Sequence, residues 1–157
     1  MKRTILLILT ILTLAFIWGH SMMSVSASAS ESGGVLELIS PLLEIFVGKG
    51  NATNHLVRKL AHFAEYGALG LELGLLICAE WINFRAKKTL PLPDGLIKKG
   101  LVCLLAVFIV AFLDESIQIL SGRGPLVEDI WLDLSGGAAM LAVVLLIKKL
   151  FHVKISA

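Results

Sequence analysis

The stretch LVCLLAVFIVAFLDESIQIL, residues 101–120, decides the fold class of this chain. Every side chain before Asp114 is apolar, and Glu115 and Gln118 follow near its end. A helix that crosses the hydrocarbon core of a bilayer needs about 20 predominantly apolar residues. The stretch therefore predicts a membrane-spanning helix that ends in a polar segment.

The composition of the whole chain points to the same class. Of the 157 residues, 57% are apolar and only 17% are charged, and the mean hydropathy is +0.87. Soluble domains contain about 25% charged residues, so an ordinary soluble domain is excluded. The net charge is only +2, and the scattered basic residues give nucleic-acid binding no basis. We therefore expect an all-α integral membrane protein.

Four apolar runs predict a bundle of about four transmembrane helices joined by short loops, within a single membrane domain of residues 1–157. The predicted spans are 4–25, 60–82, 101–120 and 130–150. The first is ambiguous, because Ala27-Ser28-Ala29 after a basic start and an apolar stretch also fits a cleaved secretory signal. Residues 35–47, with a break at Pro41, are predicted to form a short helix on the outer interface.

The basic residues predict the orientation of these spans, because cytoplasmic loops carry the excess of Lys and Arg. With the N-terminus inside, ten of the 14 Lys and Arg residues are cytoplasmic. Only four lie outside: Lys49, Arg58, Lys59 and Arg123. Both termini are therefore predicted to be cytoplasmic.

Two polar strings interrupt the apolar runs, RKLAHFAEY at 58–66 and DESIQILSGRGPLVEDIWLD at 114–133. The predicted topology brings both to the outer half of the membrane. Spacings of three or four residues place their ionisable groups on single helix faces. We therefore predict one outer-leaflet polar pocket with these ligand-binding residues: Arg58, His62, Glu65, Tyr66, Asp114, Glu115, Gln118, Arg123, Asp129 and Asp133.

Small residues in the second and fourth spans indicate how the bundle closes. Gly67, Gly70 and Gly74 lie in the second span, and Gly136 and Gly137 lie just after Asp133 in the fourth. Helices in lipid associate through close backbone approach, which small residues allow. We expect these glycines to form tight helix crossings next to the polar strings.

The spacing of the polar residues resembles that of the VanZ-like family of membrane proteins. The resemblance lies in Arg58-Lys-x-x-His62-x-x-Glu65-Tyr66, and in Asp114-Glu115-x-x-Gln118 followed by Gly122-Arg123, Asp129, Asp133 and Gly136. It implies a first span that is retained, and a place in the plasma membrane of a bacterium. It also implies an association with resistance to lipoglycopeptides of the teicoplanin type, in a family with no settled biochemical activity.

Three interpretations of the pocket stay open. It binds a membrane lipid or a lipid-linked cell-wall precursor, whose anionic head group suits the planar donor fork of arginine. Alternatively, it is the site of a membrane-embedded enzyme, in which His62 is the acid or base and Glu65 or Asp129 orients it. In the third, its charged groups form a polar clasp that fixes helix register without a ligand.

A metal ion is a further possibility, because imidazole and carboxylate oxygens are common Zn²⁺ ligands. The His62-x-x-Glu65 spacing is compatible with such a site. However, the motif contains no second histidine, and Arg58 and Arg123 would repel a cation. We therefore expect no metal and no cofactor from the sequence.

Overall fold

The structure is a computed structural model that describes residues 2–83, 95–122 and 127–151. Within these ranges all regular secondary structure is helical, and the helices are α1 (Lys2–Ser21), α2 (Val25–Val47), α3 (Asn54–Asn83), α4 (Leu96–Leu120) and α5 (Val127–Phe151). Four of them, α1, α3, α4 and α5, are long and apolar enough to cross a membrane. The predicted all-α bundle with four spans is confirmed.

The first span ends earlier than its hydropathy predicts. The apolar pattern runs to Val25, but α1 ends at Ser21 and the chain turns before α2 begins. Ser24 is the N-cap of α2, and its Oγ accepts a hydrogen bond from the Ala27 N–H at 3.3 Å. Serine is among the preferred N-cap residues, because its side chain satisfies an otherwise unpaired backbone donor. A capping interaction, which hydropathy does not report, sets this boundary.

The second helix is longer than the short segment expected at 35–47. It begins at Val25 and continues through Pro41 to Val47, so the expected break at Pro41 is wrong. Exposed apolar side chains follow one helical stripe, formed by Leu38, Leu42, Ile45 and Phe46. α2 is not among the candidate membrane spans. Its position on the outer interface stays a prediction.

The most extensive helix contact joins α3 and α5, and it depends on glycine. A Cβ on Gly70 would overlap the carbonyl of Gly137, and one on Gly136 would overlap the carbonyl of Phe63. The two backbones therefore touch, as the glycine pattern predicts. This crossing fixes the level of α5 relative to α3, and with it the position of Asp133.

The buried core lies beside the polar residues rather than apart from them. It consists of Ile17, Tyr66, Leu69, Val107 and Ala111, which come from α1, α3 and α4. Ile17 and Ala111 each lie about one helical turn from the polar residue that follows on the same helix, Ser21 or Asp114. The packed core therefore holds the ends of three helices in register where the polar side chains meet.

Cys78 on α3 and Cys103 on α4 are both buried, and neither is in a disulfide with another described residue.

Candidate functional site

The two polar strings meet between α3, α4 and α5. Nδ1 of His62 on α3 lies 3.4 Å from Oδ1 of Asp133 on α5 and 3.9 Å from Oδ2 of Asp114 on α4. Both aspartate side chains are 0% exposed, and that of His62 is 17% exposed. We call these three residues the central cluster. Each offers one donor atom of a kind that binds metal ions, and the three atoms lie within 4.8 Å of one another.

Asp114 is held in place by hydrogen bonds from two helices. Oγ of Ser21, at the end of α1, donates to Oδ1, and Nε2 of Gln118 donates to Oδ2 at 3.3 Å. The same amide nitrogen donates to Oε1 of Glu115 at 3.1 Å. Oγ of Ser121 donates to the Ser21 carbonyl at 3.0 Å. These bonds join the ends of α1 and α4 and fix the orientation of the Asp114 carboxylate.

Glu65 is directed towards α1 instead of towards His62. Its Oε1 lies 2.9 Å from Nδ1 of His20, and Nε2 of the same histidine lies 3.1 Å from Oε1 of Glu31 on α2. The sequence hypothesis that Glu65 orients His62 is therefore not supported by the hydrogen bonds among the described residues. Glu65 contributes to a second, more exposed group of polar side chains that joins α1, α2 and α3.

A similar pair lies deeper along the same two helices. Oγ1 of Thr13 donates to Oε1 of Glu72 at 2.8 Å. Thr13 and His20 are seven residues apart on α1, as are Glu72 and Glu65 on α3, and seven residues span about 10 Å of helix. The antiparallel helices α1 and α3 are therefore joined by two polar pairs with the same spacing.

Arg58 and Lys59, the two described basic residues of the first polar string, make no ion pair with the central cluster. Nζ of Lys59 is 3.6 Å from Oδ1 of Asp129, an ion pair of two half-buried side chains. Asp129 makes no ion pair with His62 in the described part of the chain, so the structure does not bring these two candidate catalytic residues together. Arg58 is half-buried and makes no ion pair with another described residue. Arg123 lies outside the described residues.

Tyr66 is fully buried, at 0% exposure. Among the described residues its hydroxyl has no hydrogen-bond partner. It interacts electrostatically with the carboxylates of Asp114 and Asp133. The structure therefore places beside the central cluster a hydroxyl donor that has no partner among the described residues.

Four residues that the sequence did not predict are hydrogen-bonded at or near the polar strings: Thr13, His20, Ser21 and Ser121. The equal spacing of seven residues on α1 and α3 was a usable signal for Thr13 and His20. No comparable signal marks Ser21, because it precedes a segment already rich in serine. Its role follows from the end of α1 at that residue.

Four apolar helices of spanning length, with a buried polar cluster between them, define a multi-pass membrane protein. Residues 6–148 of the 157-residue chain match the family model described as VanZ/LLP1. The chain therefore belongs to the VanZ/LLP1 family, and the VanZ-like resemblance of its sequence is confirmed. Comparisons with curated proteins and with solved structures gave no match.

Proposed function

We propose that this protein binds the head group of an anionic lipid or a lipid-linked cell-wall precursor in the outer half of a bacterial plasma membrane. By doing so it lowers the susceptibility of the cell to lipoglycopeptides of the teicoplanin type. The VanZ-like resemblance is the reason for choosing this antibiotic class. The polar residues described above are the reason for choosing a head group as the ligand.

One observation carries the proposal: polar side chains from four helices converge, in His62 and in the buried residues Ser21, Asp114 and Asp133. Ionisable side chains are rare inside membrane helices, where they commonly mark substrate or ion pathways. A charged residue at the centre of a helix costs about 2.5–3.5 kcal/mol. Helix register does not require this cost, because the glycine contacts of α3 with α5 already fix it. A ligand site accounts for the cluster better than a clasp does.

Arg58 is the best candidate to hold the anionic group. It is half-buried, makes no ion pair with another described residue, and precedes His62 by about one turn of α3. A guanidinium presents a planar fork of donors that binds phosphate or carboxylate through two hydrogen bonds. A head group anchored by Arg58 therefore reaches the central cluster without leaving the outer turns of the helix.

The test is retention of lipid by the full chain, measured by native mass spectrometry after mild purification. We expect anionic lipid or precursor to remain bound to the natural protein and to be lost from the Arg58→Gln variant. Lys49→Gln is the matched control, because it removes an exposed positive charge on the same predicted side. Equal retention by the natural protein and Arg58→Gln would contradict the proposal. A clasp without a ligand predicts no lipid retention that depends on Arg58, because Arg58 makes no ion pair with another described residue.

An enzymatic function is the second candidate, favoured by the 3.4 Å approach of His62 to the buried Asp133. A carboxylate at this distance orients an imidazole and stabilises its protonated form, as general acid and base catalysis requires. The partner is Asp133 rather than Glu65 or Asp129. A lipid or precursor species that appears only in membranes containing the protein would favour catalysis. Identical lipid and precursor profiles in membranes with and without the protein would support binding without catalysis.

A further inference from the structure

We infer that His62, Asp114 and Asp133 bind a divalent metal ion of the Zn²⁺ or Mn²⁺ type. This goes beyond the proposed binding of a head group and does not depend on it. The three residues come from α3, α4 and α5, so the ion would join three helices of the bundle. Three observations support this inference: the spacing of the donor atoms, two buried groups without a hydrogen-bond partner among the described residues, and the chemistry of the ligands.

The donor atoms have the spacing of ligands around one ion. Zn²⁺ bonds of about 2.0–2.2 Å in a tetrahedron place neighbouring donors about 3.3–3.6 Å apart. Nδ1 of His62 and Oδ1 of Asp133 are separated by 3.4 Å, which lies within that range. The 3.9 Å between Nδ1 of His62 and Oδ2 of Asp114 is slightly longer. All three donor atoms lie within 4.8 Å of one another, so closure around one ion needs the carboxylates to turn towards each other and towards His62.

Asp133 independently points to a ligand. Its side chain is 0% exposed and faces His62. Neither carboxylate oxygen has a hydrogen-bond partner among the described residues. Buried polar groups are normally hydrogen-bonded, and a buried carboxylate without bonds is costly unless it is paired or binds a metal. A cation at Oδ1 offsets that cost directly, whereas the imidazole of His62 offsets it only when protonated.

The hydroxyl of Tyr66 is a second buried polar group beside the proposed ion. Its buried hydroxyl has no hydrogen-bond partner among the described residues and interacts electrostatically with Asp114 and Asp133. Three protein ligands leave at least one coordination position for water or another oxygen ligand. The Tyr66 hydroxyl is a suitable donor to such an oxygen. An oxygen ligand of the proposed ion would therefore accept a hydrogen bond from the Tyr66 hydroxyl.

The kinds of ligand decide the class of metal. One imidazole and two carboxylates suit Zn²⁺ and Mn²⁺, and the absence of thiolate from the cluster argues against Cu⁺. Asp114 also has the support that metal ligands usually receive, because Ser21 and Gln118 donate hydrogen bonds to its carboxylate. Arg58 and Arg123 were expected to repel a cation. Arg58 makes no ion pair with the three ligands, and Arg123 lies outside the described residues.

The experiment is a metal titration of the full chain in detergent, after removal of bound metal with a chelator. Zn²⁺ and Mn²⁺ are each followed by calorimetry, and Co²⁺ by its visible absorption, which reports coordination. We expect one ion per chain. Asp133→Asn should weaken binding by more than the roughly 10- to 100-fold that is typical of outer-shell changes, and Ser21→Ala by an amount in that range.

Glu72→Gln is the matched control, because it neutralises a carboxylate of α3, the helix of His62, that lies outside the metal-binding group. We expect its affinity to equal that of the natural protein. No stoichiometric binding of any of the three ions by the natural chain would overturn the inference, and so would unchanged affinity in a folded Asp133→Asn variant. Lipid retention, measured separately with and without chelator, shows whether the head-group proposal fails independently.

Discussion

His62 is the residue through which the two polar strings are connected. It approaches one carboxylate from α4 and one from α5, while the nearer acidic residue in sequence, Glu65, turns to His20 of α1. His62 and Glu65, which lie about one turn apart on α3, therefore belong to different groups of polar side chains. The distinction matters for mutagenesis, because changes at Glu65 and at His62 should not have the same effect.

Ser21 and Tyr66 allow a direct comparison at the scale of single side chains. Ser21→Ala removes a hydrogen bond to the buried Asp114 carboxylate, and we expect it to lower the free energy of unfolding by about 1–3 kcal/mol. Tyr66→Phe removes a hydroxyl without a hydrogen-bond partner among the described residues, and should lower it by less than about 1 kcal/mol.

Reversible unfolding of the full chain in mixed micelles measures both values in the chelated protein. Equal destabilisation by Ser21→Ala and Tyr66→Phe would mean that the Tyr66 hydroxyl makes a stabilising contact in the protein alone. That outcome would contradict its assignment to a ligand.

The sequence predicts some of these residues better than others for a physical reason. Helical spacing identifies the face that carries His62 and predicts that Asp114 and Asp133 lie at the same membrane level. It does not give the rotation of α1 about its axis, so the contacts of His20 and Ser21 could not be derived. The sequence also suggested Asp129 as a residue that orients His62, whereas Asp129 forms an ion pair with Lys59.

The crossing of α3 and α5 governs the site at the scale of helices. Backbone contact at Gly70 and Gly136 leaves no room for a side chain, and the crossing point lies within one turn of Asp133. The glycine pattern was sufficient to predict this crossing. The end of α1 and the length of α2 were not predictable from hydropathy, which reveals neither the cap at Ser24 that begins α2 nor the continuation of α2 through Pro41.

Gly136→Ala tests the importance of the crossing. Its Cβ would overlap the Phe63 carbonyl, so the helices must separate, and we expect a loss of about 1–3 kcal/mol in the free energy of unfolding. Gly19→Ala is the control, since a Cβ there meets no atom within 4 Å, and its effect should stay within about 1 kcal/mol.

Unfolding of both variants in the same micelles provides the comparison. If Gly136→Ala is as stable as Gly19→Ala, close backbone contact between α3 and α5 is not what holds Asp133 in place.

At the scale of the whole molecule, the fold places acidic and basic groups differently. The carboxylates of Asp114 and Asp133 are inside the bundle, while Arg58 and Lys59 are half-buried in the first two turns of α3. The distribution of Lys and Arg predicts that this end of the bundle faces outwards, where cell-wall precursors are exposed. Under the proposed function, Arg58 binds the anionic head group at this end of the bundle.

The central claim is that the central cluster acts on a ligand and does not only stabilise the bundle. The most direct test is the teicoplanin susceptibility of cells that express the natural protein, Asp133→Asn or the control Glu72→Gln at equal abundance in the membrane. We predict that cells with Asp133→Asn are as susceptible as cells without the protein, while Glu72→Gln protects as well as the natural chain does. Full protection by Asp133→Asn at equal abundance would contradict the claim.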